Sequence, residues 1–541
     1  MRKLAAVATF ALTLAAGSEA SADSLLGEWS GLPGEPFFGT AVSSLDDVDG
    51  DGTSDVLVGD PSGGGHAGRV AVFSGGSGER LLDVFGATPG QEFGSAVVGL
   101  GDTNGDAIPD FAVGAPLVSA SAPGAGQVTV RSGQDGALLQ TLDGVAADSH
   151  FGSALARIPD LDGDGIDDLA VGAPREGGDR HGAVRVHSGA SGALLLLLEG
   201  EGPDDFFGTA LCAAGDLDGD TVADLFVGAP QAGLEAGYAR VLSGADGSVL
   251  REFSGDGQGD AFGFSVAALG DVDFDTTPDF AVGVPGLDLG FPEAGGVLVL
   301  SGNHGNLLHL QGGDEIWARF GFSLAGVGDV DDDGVADVAM GTDRIAGGEV
   351  HIWRGSDGKP VATLPAFEEG AEGLGSGVAV APAGDLDGDG VPDLLMGVPT
   401  RLVSADPGRV VAVRVAFDPW LDLGSGLVGS TGTPMLEGDG SLDPGTGYTI
   451  RLDEGVAFGT ATLVVGLKAL DAPFKGGVFV PNPDVLHVGL GISADGMLIF
   501  NDALPLDAEP GSSVIFQVWM EDPGGPQGMA ASNALQATIP F

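Results

Sequence analysis

One cysteine, Cys212, stands alone in a chain of 541 residues. No intramolecular disulfide can form, and thiolate metal clusters and a CxxC redox motif are excluded. Basic residues are scarce: 21 Lys and Arg stand against 78 Asp and Glu, a formal net charge of −57. Such a field opposes nucleic acid and anionic membrane surfaces as partners and makes cations the natural ones. After the first residues no run of 18 uncharged apolar residues exists that could span a bilayer. HExxH, GxSxG and the phosphate loop are missing too. The eight histidines are scattered; His181 and His187 could share a strand face at i, i+6, but they read as surface residues rather than a metal pair. Cys212, inside the apolar stretch 210–213, reads as a small buried hydrophobe.

The length exceeds one ordinary core and predicts at least two units, with the β-propeller as the main way for one domain to pass 300 residues. Hydrophobic residues at 43% argue against disorder, and the 98 glycines recur at fixed positions that a flexible linker would not need. Met1, Arg2 and Lys3 form a basic start, followed by 13 uncharged, mostly apolar residues at 4–16 and an A-x-A signature at Ala20, Ser21 and Ala22. This pattern predicts a secretory signal peptide over 1–22, the alternative being a buried helix. The mature chain is then expected to be exported, secreted or at the cell surface.

One acidic segment recurs seven times, starting at Asp47, Asp102, Asp160, Asp216, Asp271, Asp329 and Asp385, at spacings of 55, 58, 56, 55, 58 and 56 residues. Eight residues before each of the first six lies the glycine of a Phe-Gly pair: Gly39, Gly94, Gly152, Gly208, Gly263 and Gly321. The seventh unit has Leu374 and Gly375 with a gap of 10, which predicts a different first turn. Downstream a Ser-Gly-x-x-Gly turn between apolar β-rich runs reads as a hairpin. The first unit therefore contains four short strands, near 40–45, 56–59, 68–74 and 80–85. Four strands per 55 residues is the size of a propeller blade, and small residues in the first strand suit the crowded axis. Residues 25–31 resemble an outermost strand with no inner strands before them, while the seventh unit leaves the pattern after a third strand near 409–415. The chain start is thus expected to complete the last blade and protect its edge; an open solenoid would not need such an arrangement.

Each loop reads D-x-[D/N]-x-D-x-x-x-D. Positions 1, 3, 5 and 9 supply carboxylates or an amide and position 7 a backbone carbonyl, a set of hard oxygens that suits Ca²⁺ better than Mg²⁺. The predicted ligands are Asp47, Asp49, Asp51 and Asp55; Asp102, Asn104, Asp106 and Asp110; Asp160, Asp162, Asp164 and Asp168; Asp216, Asp218, Asp220 and Asp224; Asp271, Asp273, Asp275 and Asp279; Asp329, Asp331, Asp333 and Asp337; and Asp385, Asp387, Asp389 and Asp393. Asn104 weakens the second site, and Ala107, Thr221 and Thr276 replace the glycine of position 6, which predicts a strained turn. Position 12 is Val or Met in every loop, where an EF-hand needs a bidentate Glu, so these are strand-loop-strand sites. One such loop alone would read as a solvated turn. Repetition of like charge instead predicts up to seven bound Ca²⁺ ions with a structural role.

The Phe-Gly pairs, the acidic loops and the Gly-Ala-Pro runs at 114–116, 172–174 and 228–230 resemble FG-GAP repeats, which build the seven-bladed propeller at the head of integrin α subunits. The resemblance covers about residues 24–415. It implies an all-β fold and structural Ca²⁺ in the loops, on the face opposite the main ligand-binding face. Integrins bind calcium in several blades only; here all seven loops look competent. The resemblance also reaches phospholipases, polysaccharide lyases and secreted bacterial proteins, and the short signal and lack of cysteine pairs suit a bacterial exported protein.

After Val415 the period stops. Strand-like runs at 448–452, 461–467, 485–490, 497–500, 514–520 and 535–539 predict a small β-sandwich-like domain over 416–541, for partner or surface attachment or as a passive cap. The expected function is a non-enzymatic extracellular adhesion or binding module with an unidentified protein or glycan ligand. The alternatives are a calcium-dependent lyase or hydrolase acting on polysaccharide or lipid-linked glycan, and a structural envelope component.

Overall fold

The computed structural model describes residues 25–365 apart from 232–235, 256, 258, 290, 314–315, 332 and 344–347, residues 379–414 apart from 388–390 and 401–406, and the backbone of the strands between 420 and 538. The expected signal peptide, Leu374, Gly375 and Asp389 lie outside the described residues. The chain divides into two compact units, with the break between Ala416 and Phe417.

The first unit consists of seven four-stranded antiparallel sheets. Blade 1 runs Ala41–Leu45, Asp55–Asp60, Arg69–Phe73 and Arg80–Phe85 in order from the inside out. Five more blades repeat that order. The last is composite: Ala379–Gly384, Asp393–Val398 and Arg409–Val413 are completed by Leu25–Ser30 from the chain start, which pairs antiparallel with Arg409–Val413. The first strand of each blade neighbours that of the next, and the first strand of blade 7 returns to that of blade 1. The sheet is therefore a closed ring: a seven-bladed β-propeller.

Burial along each blade follows its position. The second strands, such as Asp110–Ala115 and Asp168–Ala173, are buried at every residue. Both their faces are covered by neighbouring blades, so their sequence is a continuous apolar run rather than an alternating one. The fourth strands of blades 1 to 4 share one half-exposed pattern, with a single buried residue, because their outer edge meets solvent. Apolar clusters lie between blades. Leu100, Val128, Val130 and Leu142 of blade 2 pack with Phe151, Leu169 and Val171 of blade 3. The phenylalanines of the Phe-Gly pairs are the wedges, and Phe38, Phe151 and Phe207 are fully buried. Each such side chain contributes about 2 kcal/mol by leaving water.

Two glycines per unit are required by contact between blades. A Cβ on Gly114 would lie 2.0 Å from the Gly152 carbonyl oxygen, and one on Gly397 2.2 Å from that of Gly39, across the point of closure. The glycine of the Phe-Gly pair sits at φ between +81° and +91°, a region that L side chains rarely adopt. Its amide donates to the glycine carbonyl of its own second strand, as from Gly94 to Gly114 at 2.9 Å. Closure is sealed by Trp29, whose ring packs 5.8 Å from Phe73 and whose indole N–H donates to the Gly78 carbonyl at 3.2 Å. Fully buried Arg69 adds a 3.2 Å ion pair to Glu35 in the connection into blade 1.

The second unit is also built of strands. A five-stranded sheet has the order Trp420–Asp422, Met529–Thr538, Ser513–Glu521, Thr460–Gly466, Val485–Gly491. Met435–Asp439, Gly447–Asp453 and Leu498–Ala503 form a second sheet, and Ala469–Phe474 pairs with Gly477–Pro481.

Candidate metal centres

Each acidic loop joins the first and second strands of its blade. Its last aspartate, position 9, is the first residue of the second strand and is fully buried in all seven blades. This residue is a clamp. One oxygen accepts the amide of loop position 2, from Val48 to Asp55 at 2.8 Å and from Leu386 to Asp393 at 2.7 Å. In blades 1 to 6 the other accepts the amide of the glycine at the second position of the turn between strands three and four, from Gly75 to Asp55 at 3.1 Å and from Gly355 to Asp337 at 3.0 Å. Loop and turn are thus tied together at one end of the blade.

Position 1 shapes the loop. Asp47 accepts the Gly50 amide at 2.6 Å on one oxygen and the Gly52 amide at 2.8 Å on the other. The same pair of contacts recurs at Asp102, Asp160 and Asp216. Delivering the position 6 amide requires a left-handed backbone there. Gly52 and Gly165 supply it at φ +95° and +89°, but Ala107 has φ +67° and Thr221 and Thr276 have φ +74°. The strain expected at these three non-glycine positions is therefore present.

The carboxylates converge by threes. One oxygen from each of Asp47, Asp49 and Asp55 lies within 4.8 Å of the others, and so do those of Asp160, Asp162 and Asp168, of Asp216, Asp218 and Asp224, and of Asp271, Asp273 and Asp279. Two oxygens each about 2.4 Å from a common Ca²⁺ cannot be more than about 4.8 Å apart, so this spacing fits that ion. Position 5 is turned elsewhere in loop 1: Asp51 accepts the Thr53 amide at 2.9 Å and the Ser74 hydroxyl at 3.1 Å. In loop 6 the convergent set is instead Asp329, Asp331 and Asp333. In loop 2 the Asn104 amide and the Thr103 hydroxyl both donate to Asp110, at 3.3 and 2.6 Å.

Electrostatics supports a cation. Burial pushes Asp55 up to about 6 and Asp337 up to about 8, with neighbouring loop carboxylates adding to both shifts. Burial likewise raises Asp110, Asp168, Asp224 and Asp279. Hydrogen bonds oppose this where the loop is open: those from Thr53 hold Asp51 below the usual aspartate range, and the Gly165 amide does the same for Asp160. Clustered carboxylates that resist ionisation in the bare protein are compensated by an oxygen-bound cation. The donor set of loops 1, 3, 4 and 5 thus fits a divalent cation such as Ca²⁺, which positions 1, 3 and 9 could hold.

Two side chains at this end escape the sequence reading. The turn between strands three and four starts with Ser74, Ser132, Ser188, Ser243 and Ser301 in blades 1 to 5. In blade 6 that position is Arg354, paired with Asp331; blade 7 has no such turn, its fourth strand coming from the chain start, but the residue that follows its third strand is Arg414, paired with Asp387. The signal was visible as a break in the Ser-Gly-x-x-Gly turn, but only the strand register identifies the equivalent positions: Phe73, Trp353 and Val413 pair with Val56, Val338 and Leu394.

The histidines and cysteine have local roles. His181 contacts Asp179 at 2.6 Å, while His187 packs edge-on against Phe151 and contacts the Gly192 carbonyl at 3.0 Å, so the two do not form a pair. Cys212 is partly buried against the blade 4–5 cluster, and burial pushes its thiol up to about 12.

Comparison with known proteins agrees with this geometry. The FG-GAP repeat family matches residues 38–73, 93–130, 151–188 and 207–242, and the FG-GAP-like repeat family matches 329–396. Integrin alpha-5 of Xenopus laevis is 36% identical over 219 residues, 37% of this chain and 21% of that protein. Integrin alpha-PS2 of Drosophila melanogaster is 33% identical over 206 residues, covering 34% and 14%. Integrin alpha-V of Gallus gallus is 32% identical over 210 residues, covering 36% and 20%. The chain thus spans about a fifth or less of the length of these curated relatives. A solved structure described as "Structure of Dos1 propeller" aligns with a TM-score of 0.41 at 12% identity, over 70% of this chain and 83% of that one. The chain thus carries FG-GAP repeats, is similar to integrin alpha subunits over about a third of its length, and closes into a seven-bladed β-propeller.

Proposed function

We propose that this chain is an exported, calcium-stabilised adhesion or binding module, with a signal peptide cleaved near Ala22 and an extracellular protein or glycan as its ligand. The observation that carries the reading is the division of labour between the two ends of the blades. Acidic loops and strand three–four turns share one end, where buried Asp55 and its counterparts make them part of the framework. Cations there stabilise the ring by binding only its folded form. The other end carries the remaining loops. At the junction of blades 5 and 6 it exposes Phe291 by 42% and Trp317 by 56%, beside Ile316. Exposed aromatic and apolar side chains grouped on loops of a rigid scaffold suit recognition. Among the described residues no helix is long and apolar enough to cross a membrane. The C-terminal unit is proposed to attach the propeller to a partner or surface.

The test is a screen of the full chain, as exported, against cell-envelope fractions and a glycan array, in Ca²⁺ and in EDTA, with circular dichroism on both samples. Saturable binding in Ca²⁺ that is weakened at least tenfold in F291A/W317A supports the reading. Binding untouched by that double variant, or none from a folded sample, overturns it. Product release from a captured glycan would favour the enzymatic alternative.

A further inference from the structure

We infer that the acidic loops of blades 6 and 7 are not calcium sites: an arginine that follows the third strand takes the place that the metal holds in other blades. This rests on the calcium reading above. In blades 1 to 5 the residue opening the strand three–four turn is serine, too short to bring a charge into the loop. Arg354 keeps the same turn, its amide donating to the Lys359 carbonyl at 2.8 Å and its carbonyl accepting from Gly358 at 3.0 Å, as Ser74 does with Glu79 and Gly78. The clamp below it is also unchanged, with Gly355 donating to Asp337. Only the side chain differs, and it runs into the loop, where its guanidinium pairs with Asp331.

Blade 7 repeats the device. The Arg414 guanidinium donates to Asp387 through Nε, at 2.6 Å, and through a terminal nitrogen. Asp331 and Asp387 both hold position 3, one of the three positions whose oxygens converge in loops 1, 3, 4 and 5. Asp331 is buried under its arginine, whereas Asp387, like Asp49, Asp162 and Asp218 at the same position, is exposed and is held by the arginine fork. A guanidinium is charged at every accessible pH and offers a rigid fork that matches a carboxylate. It neutralises the loop from within and repels a divalent ion, and in blade 6 it yields its carboxylate only if a largely buried ion pair is broken. The two loops are consecutive, and blade 7 is the one closed by Leu25–Ser30. The region of ring closure is therefore held by internal cations and does not depend on calcium supply.

The experiment counts ions. Full-length protein is equilibrated with radioactive Ca²⁺ in flow dialysis, as wild type, R354S, R414S, the double variant, D331N and D162N, with folding checked by circular dichroism. The wild type is expected to bind no more than five ions, one for each serine-bearing blade. Each arginine variant is expected to gain one and to acquire a melting temperature that falls in EDTA more than that of the wild type. D162N should lose one ion and D331N none. A folded R354S/R414S that gains none overturns the inference. Should the arginine variants fail to fold, D331N decides: an unchanged count supports the inference and a lost ion overturns it. No calcium on the wild type would instead overturn the calcium reading itself, and this inference with it.

Discussion

At Gly114 an added Cβ would lie 2.0 Å from the carbonyl oxygen of Gly152 in the next blade, and 3.5 Å from the Ala96 Cβ. The first contact is with backbone, which cannot rotate aside. Restoring an ordinary separation of about 3.4 Å moves the two blades apart by about 1.4 Å, and a gap half that size already forfeits a quarter or more of each dispersion contact. The contacts at risk are those of Val128, Val130 and Leu142 with Phe151, Leu169 and Val171. Overpacking costs about 1–3 kcal/mol where side chains can adjust, so Gly114→Ala is expected to cost about 3 kcal/mol or more. If some 390 residues unfold together at roughly 2.1 cal/mol/K each, that loss lowers Tm by about 4 °C. Urea titration in saturating Ca²⁺ measures it through the midpoint. Gly178→Ala is the control: nothing lies within 4 Å of its added Cβ, and its φ is ordinary. It should be neutral or slightly stabilising. Equal midpoints for the two variants would refute the account of how the blades touch.

Trp29→Ala should cost about 3–5 kcal/mol in the same titration, because it empties a buried site at the closing strand and removes the bond to Gly78. A loss below about 1 kcal/mol would mean that the closing strand adds little. Thr276→Gly is expected to stabilise by about 0.5–1 kcal/mol, since a β-branched residue at φ +74° carries strain that glycine relieves; a fall in the urea midpoint would contradict this. Without metal, stability should decline as pH rises from about 4 to 8. Asp55 and Asp331 near 6 and Asp337 near 8 stand above the ordinary aspartate value of 3.8, so the folded state holds protons that the unfolded chain releases. Their contribution is complete below the unfolded value and lost through the folded ones. Melting temperatures across pH in EDTA check the sign, and a rise toward pH 8 would refute it.

The repeat made the propeller legible, because each blade spends the same residues on the same tasks. Strands near 40–45, 56–59, 68–74 and 80–85 are observed at Ala41–Leu45, Asp55–Asp60, Arg69–Phe73 and Arg80–Phe85. In the second unit, runs such as 461–467 and 514–520 are strands, whereas Met435–Asp439 and Ala469–Phe474 were missed. The sequence MLEGD holds glycine and two acids, and ALDAPF holds Asp and Pro, residues that strands disfavour. Spacing located the acidic loops but could not rank their carboxylates. Position 9 looked like one ligand among four, yet Asp55 is also the bond between loop and turn, a contact 20 residues away along the chain. Arg354 and Arg414 escape the sequence reading for the same reason: the end of a third strand gives no sign of which loop it faces.

The central claim is that cations in the acidic loops hold the ring together. The direct test is thermal unfolding of the full chain at pH 7.5 in Ca²⁺, in Mg²⁺ and in EDTA, followed by calcium added back to the EDTA sample. Each occupied site contributes about 2.7 kcal/mol when free ion stands at a hundred times its Kd. The account predicts a large fall in Tm in EDTA, full recovery with Ca²⁺ and weaker recovery with Mg²⁺. Superimposable melts in all four samples would contradict it.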